Sequence, residues 1–272
     1  MTLVTVLTVF TCLSLVQLSA SGQDFSRPNV SGNIYEENVN FRVNYKVMMA
    51  ESSELISSGK TIFCDGNAYD FVDNSDEIII FNPEAKKIYV LDVKSRKKWE
   101  TTPDEVEEYA TKICRWGMSN EKEEIRQFFQ PDFKVEYDNK KREYSFVSEN
   151  YSYFVTPVKP DRTEFLEQYR VFARSSCRTN MALSPGSRTL YARFLVNETV
   201  FNAGYFIERL QLSLRAQSYF GKSTVLLSEY QYLPRLVESD MATIRQVQDY
   251  LAIFERGTLA EFQEKRLQTE AK

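Results

Sequence analysis

The stretch Val39-Asn40-Phe41-Arg42-Val43-Asn44-Tyr45-Lys46-Val47 alternates apolar and polar residues at every step. Side chains of an extended chain point to opposite faces in turn, so this run reads as a strand that buries Val39, Phe41, Val43, Tyr45 and Val47 on one side. Phe206–Arg215 repeats the pattern, with Leu210, Leu212 and Leu214 on one face, and Ser223–Tyr232 pairs back across a turn at Gly221. Asp65-Gly66 separates Thr61–Cys64 from Ala68–Phe71, and Asp-Gly supplies the positive φ angles of a tight hairpin. Ile78–Phe81 is apolar on both faces and belongs inside the sheet, with Asn82-Pro83 as the turn into Ile88–Asp92. Three further strands read over Phe133–Tyr137, Glu143–Val147 and Tyr151–Val158.

Helices are punctuated as clearly. Thr102-Pro103-Asp104-Glu105 is a capping box with Pro at the first helical position, and Gly117 suits a left-handed stop. A shorter helix opens at Asn120-Glu121-Lys122-Glu123 and ends before Pro131. Asp161-Arg162-Thr163-Glu164 opens a third, with Phe165, Tyr169 and Phe172 on one side. Residues 188–196 fit strand and helix equally, and Asn197–Gly204 reads as a short helical turn. Ser239 or Asp240 caps an amphipathic helix striped by Ile244, Val247, Leu251 and Phe254, with Gly257 as its stop. Thr258-Leu259-Ala260-Glu261 opens a tail helix. The strands never separate into two blocks, so residues 39–272 are expected to form one α+β domain: a curved antiparallel sheet, an incomplete barrel, covered by amphipathic helices.

Composition closes several chemistries. The 272 residues carry 34 Lys+Arg against 38 Asp+Glu, a formal charge of −4, and no histidine. Imidazole metal ligation and His-activated Ser or Cys nucleophiles are therefore excluded. No two of the nine glycines share a phosphate-cradling spacing. The mildly acidic balance argues against nucleic acid, which demands a concentrated basic footprint.

Residues 1–22 contain no charged side chain and end in Leu18-Ser19-Ala20-Ser21-Gly22. They read as a secretory signal cleaved after Ala20 or Gly22, which places the protein in the periplasm or outside the cell. The competing reading is an uncleaved anchor, but the apolar run falls short of the ~20 residues a span needs. Residues 23–38 read as a loose polar lead-in. Cys64, Cys114 and Cys177 remain after cleavage, either as one disulfide with a free thiol or as three small buried side chains. Asn29, Asn150 and Asn197 head sequons that matter only in a eukaryotic host.

Three short constellations have a bland alternative. The acids Asp65, Asp70, Asp73, Asp76 and Glu77 lack the order of a calcium loop and suit hairpin turns. Ser57-Ser58-Gly59-Lys60 matches S-x-x-K without its companion motifs. Lys94, Arg96, Lys97 and Lys98 read as a solvated turn.

Ile79-Ile80-Phe81-Asn82-Pro83-Glu84-Ala85-Lys86-Lys87-Ile88-Tyr89-Val90-Leu91-Asp92 resembles the strand, Pro turn and returning strand of the LolA/LolB-type lipoprotein carriers. Ser58–Thr61 with Asp65–Phe71 is similar to an uncharacterised family of secreted bacterial proteins. The carrier resemblance implies an acyl chain held between a concave sheet and a helical lid. On the residues themselves, Phe41, Val43, Tyr45, Leu210, Leu212 and Leu214 are the candidate face of an apolar cavity. The expectation is an exported, non-catalytic protein binding an amphiphile, a lipoprotein acyl chain or a partner protein, with no cofactor and no metal. The rivals are a carboxylate hydrolase of envelope polysaccharide and a structural or adaptor domain without ligand.

Overall fold

The computed structural model describes residues 39–187, 189–215 and 224–270. The signal, the lead-in and the turn at Gly221 lie outside the described residues. Among the described residues, twelve strands form one sheet: β1 (Phe41–Met49), β2 (Leu55–Cys64), β3 (Asn67–Val72), β4 (Glu77–Asn82), β5 (Lys87–Asp92), β6 (Lys97–Thr101), β7 (Lys134–Asp138), β8 (Glu143–Val147), β9 (Tyr151–Val158), β10 (Phe206–Leu214), β11 (Thr224–Leu233) and β12 (Glu255–Arg256). Their spatial order is β12-β6-β5-β4-β3-β2-β1-β11-β10-β9-β8-β7. Every pairing is antiparallel except the short one between β12 and β6. The sheet is curved and does not close, so the fold is the α+β incomplete barrel that the alternating runs imply. β1 occupies the middle, with Tyr45 opposite both Gly59 of β2 and Tyr230 of β11.

Six helices complete the described residues: α1 (Pro103–Met118), α2 (Glu123–Phe129), α3 (Thr163–Leu183), α4 (Thr189–Asn202), α5 (Glu238–Ile253) and α6 (Leu259–Glu270). They do not all shelter one face. Phe41, Val43, Tyr45, Phe63, Ile79 and Phe81 form an inner face packed against residues of α1, α3, α4 and α6. Ile62, Cys64, Tyr69, Ile78, Ile80 and Leu91 point the other way and meet Ile244 and Val247 of α5. This explains why Ile78–Phe81 is apolar at every position: it is the inner part of a sheet covered on both sides. α5 is clamped by Asp240, whose fully buried carboxylate accepts from Arg42 of β1 at 2.9 Å and Lys60 of β2 at 3.3 Å.

Three sequence expectations need correction. Gly117 does not stop α1. It lies one residue inside the helix, where an added Cβ would sit 2.1 Å from the Phe129 ring, so its role is close approach of α2. α5 starts two residues earlier than a Ser239 cap would allow and three earlier than an Asp240 cap. Val237 is the N-cap, and Asp240 in the first turn accepts from the Val237 N–H at 3.1 Å. Gly257 does not end α5 either. The helix stops at Phe254, and Glu255–Arg256 pairs with the edge strand β6 before the chain crosses to the inner face, where Phe262 of α6 is buried. That passage covers one sheet edge.

Residue 188 lies outside the described residues; from Thr189 to residue 196 the ambiguity resolves as helix, and α4 takes in most of the turn expected after it. Its apolar residues run all round the cylinder because sheet, α3 and α2 enclose it, so no single stripe marks it. Cys64 lies on a strand, Cys114 and Cys177 lie on helices, and all three are free thiols.

Candidate functional site

Pro157 interrupts the regular pairing of β9, because proline offers no N–H to the ladder. Opposite it, β10 carries an extra residue: Ile207 pairs with Pro157 and Arg209 with Thr156, leaving Glu208 bulged out. The chain then leaves β9 through Lys159 and Pro160 into α3. These irregularities open a groove of about 250 Å³ at the corner where β9, β10, β11 and β1 meet the start of α3.

Aromatic rings build its walls. Phe41, Phe165, Phe206, Tyr230 and Tyr232 line it together with Val158. The Phe206 and Tyr232 rings are stacked at 3.9 Å, and Phe41 stacks on Phe63 at 4.1 Å. Phe165 leans on Phe41 at 4.8 Å and carries the Arg162 guanidinium 5.7 Å from its ring. The Tyr232 hydroxyl donates to the Ile207 carbonyl at 3.0 Å, and burial holds its pKa well above the ordinary phenol value. Lys159, Asp161 and Glu208 line the groove from its solvent side; all three are exposed.

Behind the groove lies a buried polar cluster. Arg193 of α4 is 5% exposed and reaches the sheet, donating to the Tyr230 hydroxyl at 2.9 Å and to Asn197 Oδ1 at 2.7 Å. Tyr230 therefore joins the groove to the interior. The buried hydroxyls of Tyr153 on β9 and Ser228 on β11 have no hydrogen-bond partner among the described residues. Further along the inner face, Asp70 is buried and accepts from Thr61 Oγ1 at 2.6 Å. Burial pushes its pKa up to about 7, with the Thr61 hydrogen bond opposing and the Glu77 charge adding to the rise.

The six residues of the expected cavity face separate on this geometry. Phe41 lines the groove. Val43, Tyr45, Leu210 and Leu212 are buried in the inner core, and Leu214 packs against it half-buried. Neighbouring helices, notably α3 and α4, occupy the space in front of them. The alternation in the sequence identified the inward face but carried no information about what fills it.

Of the acid cluster, Asp73 accepts from Ser58 at 2.6 Å in a turn and Glu77 pairs with Arg266 of α6 at 2.5 Å. Asp70 departs from the turn reading, since it sits within β3. Ser57 and Lys60 stand three residues apart on β2, an odd spacing that sends their side chains to opposite faces, and Lys60 is held by Asp240. No group of three His, Cys, Asp or Glu side chains gathers as metal ligands among the described residues. Arg193 and Tyr230 had no sequence signal strong enough to single them out, because α4 has no polar face against which a buried Arg stands out. Pro157 inside an otherwise regular strand was the available sign of the bulge.

No family model matches this chain, and no curated protein does. Among solved structures, the crystal structure of a LolA superfamily protein from Nitrosomonas europaea is similar to it at 7% identity, over 75% of this chain and 90% of that one, with a TM-score of 0.23.

Proposed function

We propose that this protein binds one apolar chain of an amphiphile, without catalysis, in the groove at the β9–β10–β11–β1 corner. A single observation carries the reading: five aromatic side chains and Val158 line a partly open groove in an inner face that is otherwise packed by its own helices. Its ~250 Å³ is below the ~300–1,000 Å³ typical of drug-sized pockets, which suits one chain and not a two-chain lipid. The carrier likeness in Ile79–Asp92 points the same way. The leader-like residues 1–22 support action outside the cytoplasm by one α+β unit, on a lipid, a lipoprotein acyl chain or a similar amphiphile. No described helix is long and apolar enough to cross a membrane.

A hydrolase reading rests on Asp161 and Glu208, which line the same groove. A glycosidase acid is normally sheltered by apolar walls, whereas both of these side chains are exposed, so binding is the better supported function.

The test is titration of a fluorescent undecanoyl probe into the wild-type chain and into Val158→Trp, which fills the groove. Saturable binding by the wild type, weakened ~tenfold or more in the variant, is the expected result, on the scale of one large side chain's apolar contact. Equal binding by both chains, or none by the wild type, refutes the groove as the site.

A further inference from the structure

Arg193 is a buried cation with neutral partners. Its two hydrogen bonds go to Asn197 and Tyr230, and no carboxylate lies within ion-pair distance of it among the described residues. The other buried or half-buried cations of the inner side are matched: Arg174 and Arg170 share Glu198, and Arg266 holds Glu77. A guanidinium keeps its charge in a protein and has five N–H donors, so a buried one without an anion is costly unless something supplies the charge. The Tyr230 ring, 5.7 Å from the guanidinium, offsets part of that cost.

The second observation is independent. Tyr153 is fully buried and Ser228 is 1% exposed, yet neither hydroxyl has a partner among the described residues. Both occupy the inner face, on the two strands that flank β10. Ser228 is paired with Leu210 of β10, and Tyr153 with Leu212 of the same strand. The Arg193 charge reaches Tyr153 and pulls against the burial that holds its hydroxyl up. One cation and two donors without acceptors therefore face one region, and Tyr230 connects that region to the groove.

We propose that Arg193 receives the polar end of the groove's ligand, and that this end is a single carboxylate on a single apolar chain, flanked by the Tyr153 and Ser228 hydroxyls. The charge count favours this class, because one guanidinium matches one negative charge and its planar fork suits a carboxylate. The proposal rests on the groove reading, so the experiment separates the two.

Calorimetric titration of the full chain at pH 8 compares dodecanoate, dodecanol and dodecyl phosphate, with wild type and Arg193→Met. Dodecanol reports the groove alone. The expected result is dodecanoate binding ~tenfold or more tighter than dodecanol in the wild type, as a charge-assisted hydrogen bond gives, with the two equal in the variant. Equal affinities in the wild type overturn the role of Arg193 and leave the groove standing. A preference for dodecanoate that survives in Arg193→Met also overturns it. Dodecyl phosphate bound ~tenfold tighter than dodecanoate overturns the carboxylate assignment. No binding of any of the three removes both readings. Should Arg193→Met fail to fold, the wild-type comparison of acid and alcohol still decides.

Discussion

Asp70 gives the sharpest test of how dry the inner face is. Its carboxyl lies in β3 under the helices, with Thr61 as its hydrogen-bond donor, and burial raises its pKa to about 7. In the unfolded chain the value returns to ~3.9. Between about pH 4 and 7 the folded state thus binds one more proton than the unfolded state. Stability from this group is complete below about pH 4 and is lost as pH rises through 7. A shift of roughly 3 units at ~1.4 kcal/mol each sets a ceiling on the order of 4 kcal/mol. Asp70→Asn keeps an acceptor for Thr61 and cannot ionise. Urea unfolding of both chains at pH 5 and pH 8 reads the effect, with the thiols kept reduced. Wild type should lose about 2–3 kcal/mol more than the variant between the two pH values, since about two of the three units lie above pH 5. Parallel behaviour of wild type and variant would mean that water reaches the carboxylate in the folded protein and that the inner face is not dry at Asp70.

The outer face gives an opposite sign. Burial acts to raise the Asp240 pKa, but hydrogen bonds from Val237 and Arg42, together with Arg42's charge and Lys60, outweigh it and hold the group below the carboxylate range. Its stabilisation is present at neutral pH and is lost as pH falls below about 4. Asp240→Ala should cost about 2–4 kcal/mol, less than a fully buried pair because Arg42 and Lys60 are partly exposed, and hydrogen exchange should quicken first in α5. Gly117→Ala should destabilise by about 1–3 kcal/mol in thermal unfolding, although Ala is the better helix former, because its methyl meets the Phe129 ring. Thr102→Ala should cost about 1 kcal/mol by removing a cap in which Thr102 Oγ1 accepts from the Glu105 N–H at 3.2 Å.

Local chemistry made most of the sheet legible. Asp65 and Gly66 adopt φ of 50° and 76°, as the hairpin signal requires, and the alternating runs at Val39–Val47 and Phe206–Leu214 lie beside β11 as neighbours. The strand order was beyond reach, since the β1–β11 pairing joins residues almost 190 positions apart and no local rule encodes it. The helix ends at Gly117 and Gly257 misled because glycine serves close approach as well as left-handed caps. The site was half legible for the same reason. Phe41 faced inward by alternation, but the groove exists because Pro157 and the extra residue Glu208 interrupt β9 and β10 in register, and Arg193 belongs to a helix without an exposed face.

Native mass spectrometry of chain purified without detergent from its own host reads directly whether the groove carries a ligand. One adduct per chain, with the mass of a single-chain amphiphile, is expected on wild type and absent from Val158→Trp. Wild-type chain without an adduct, or equal adducts on both chains, would contradict the groove as the binding site.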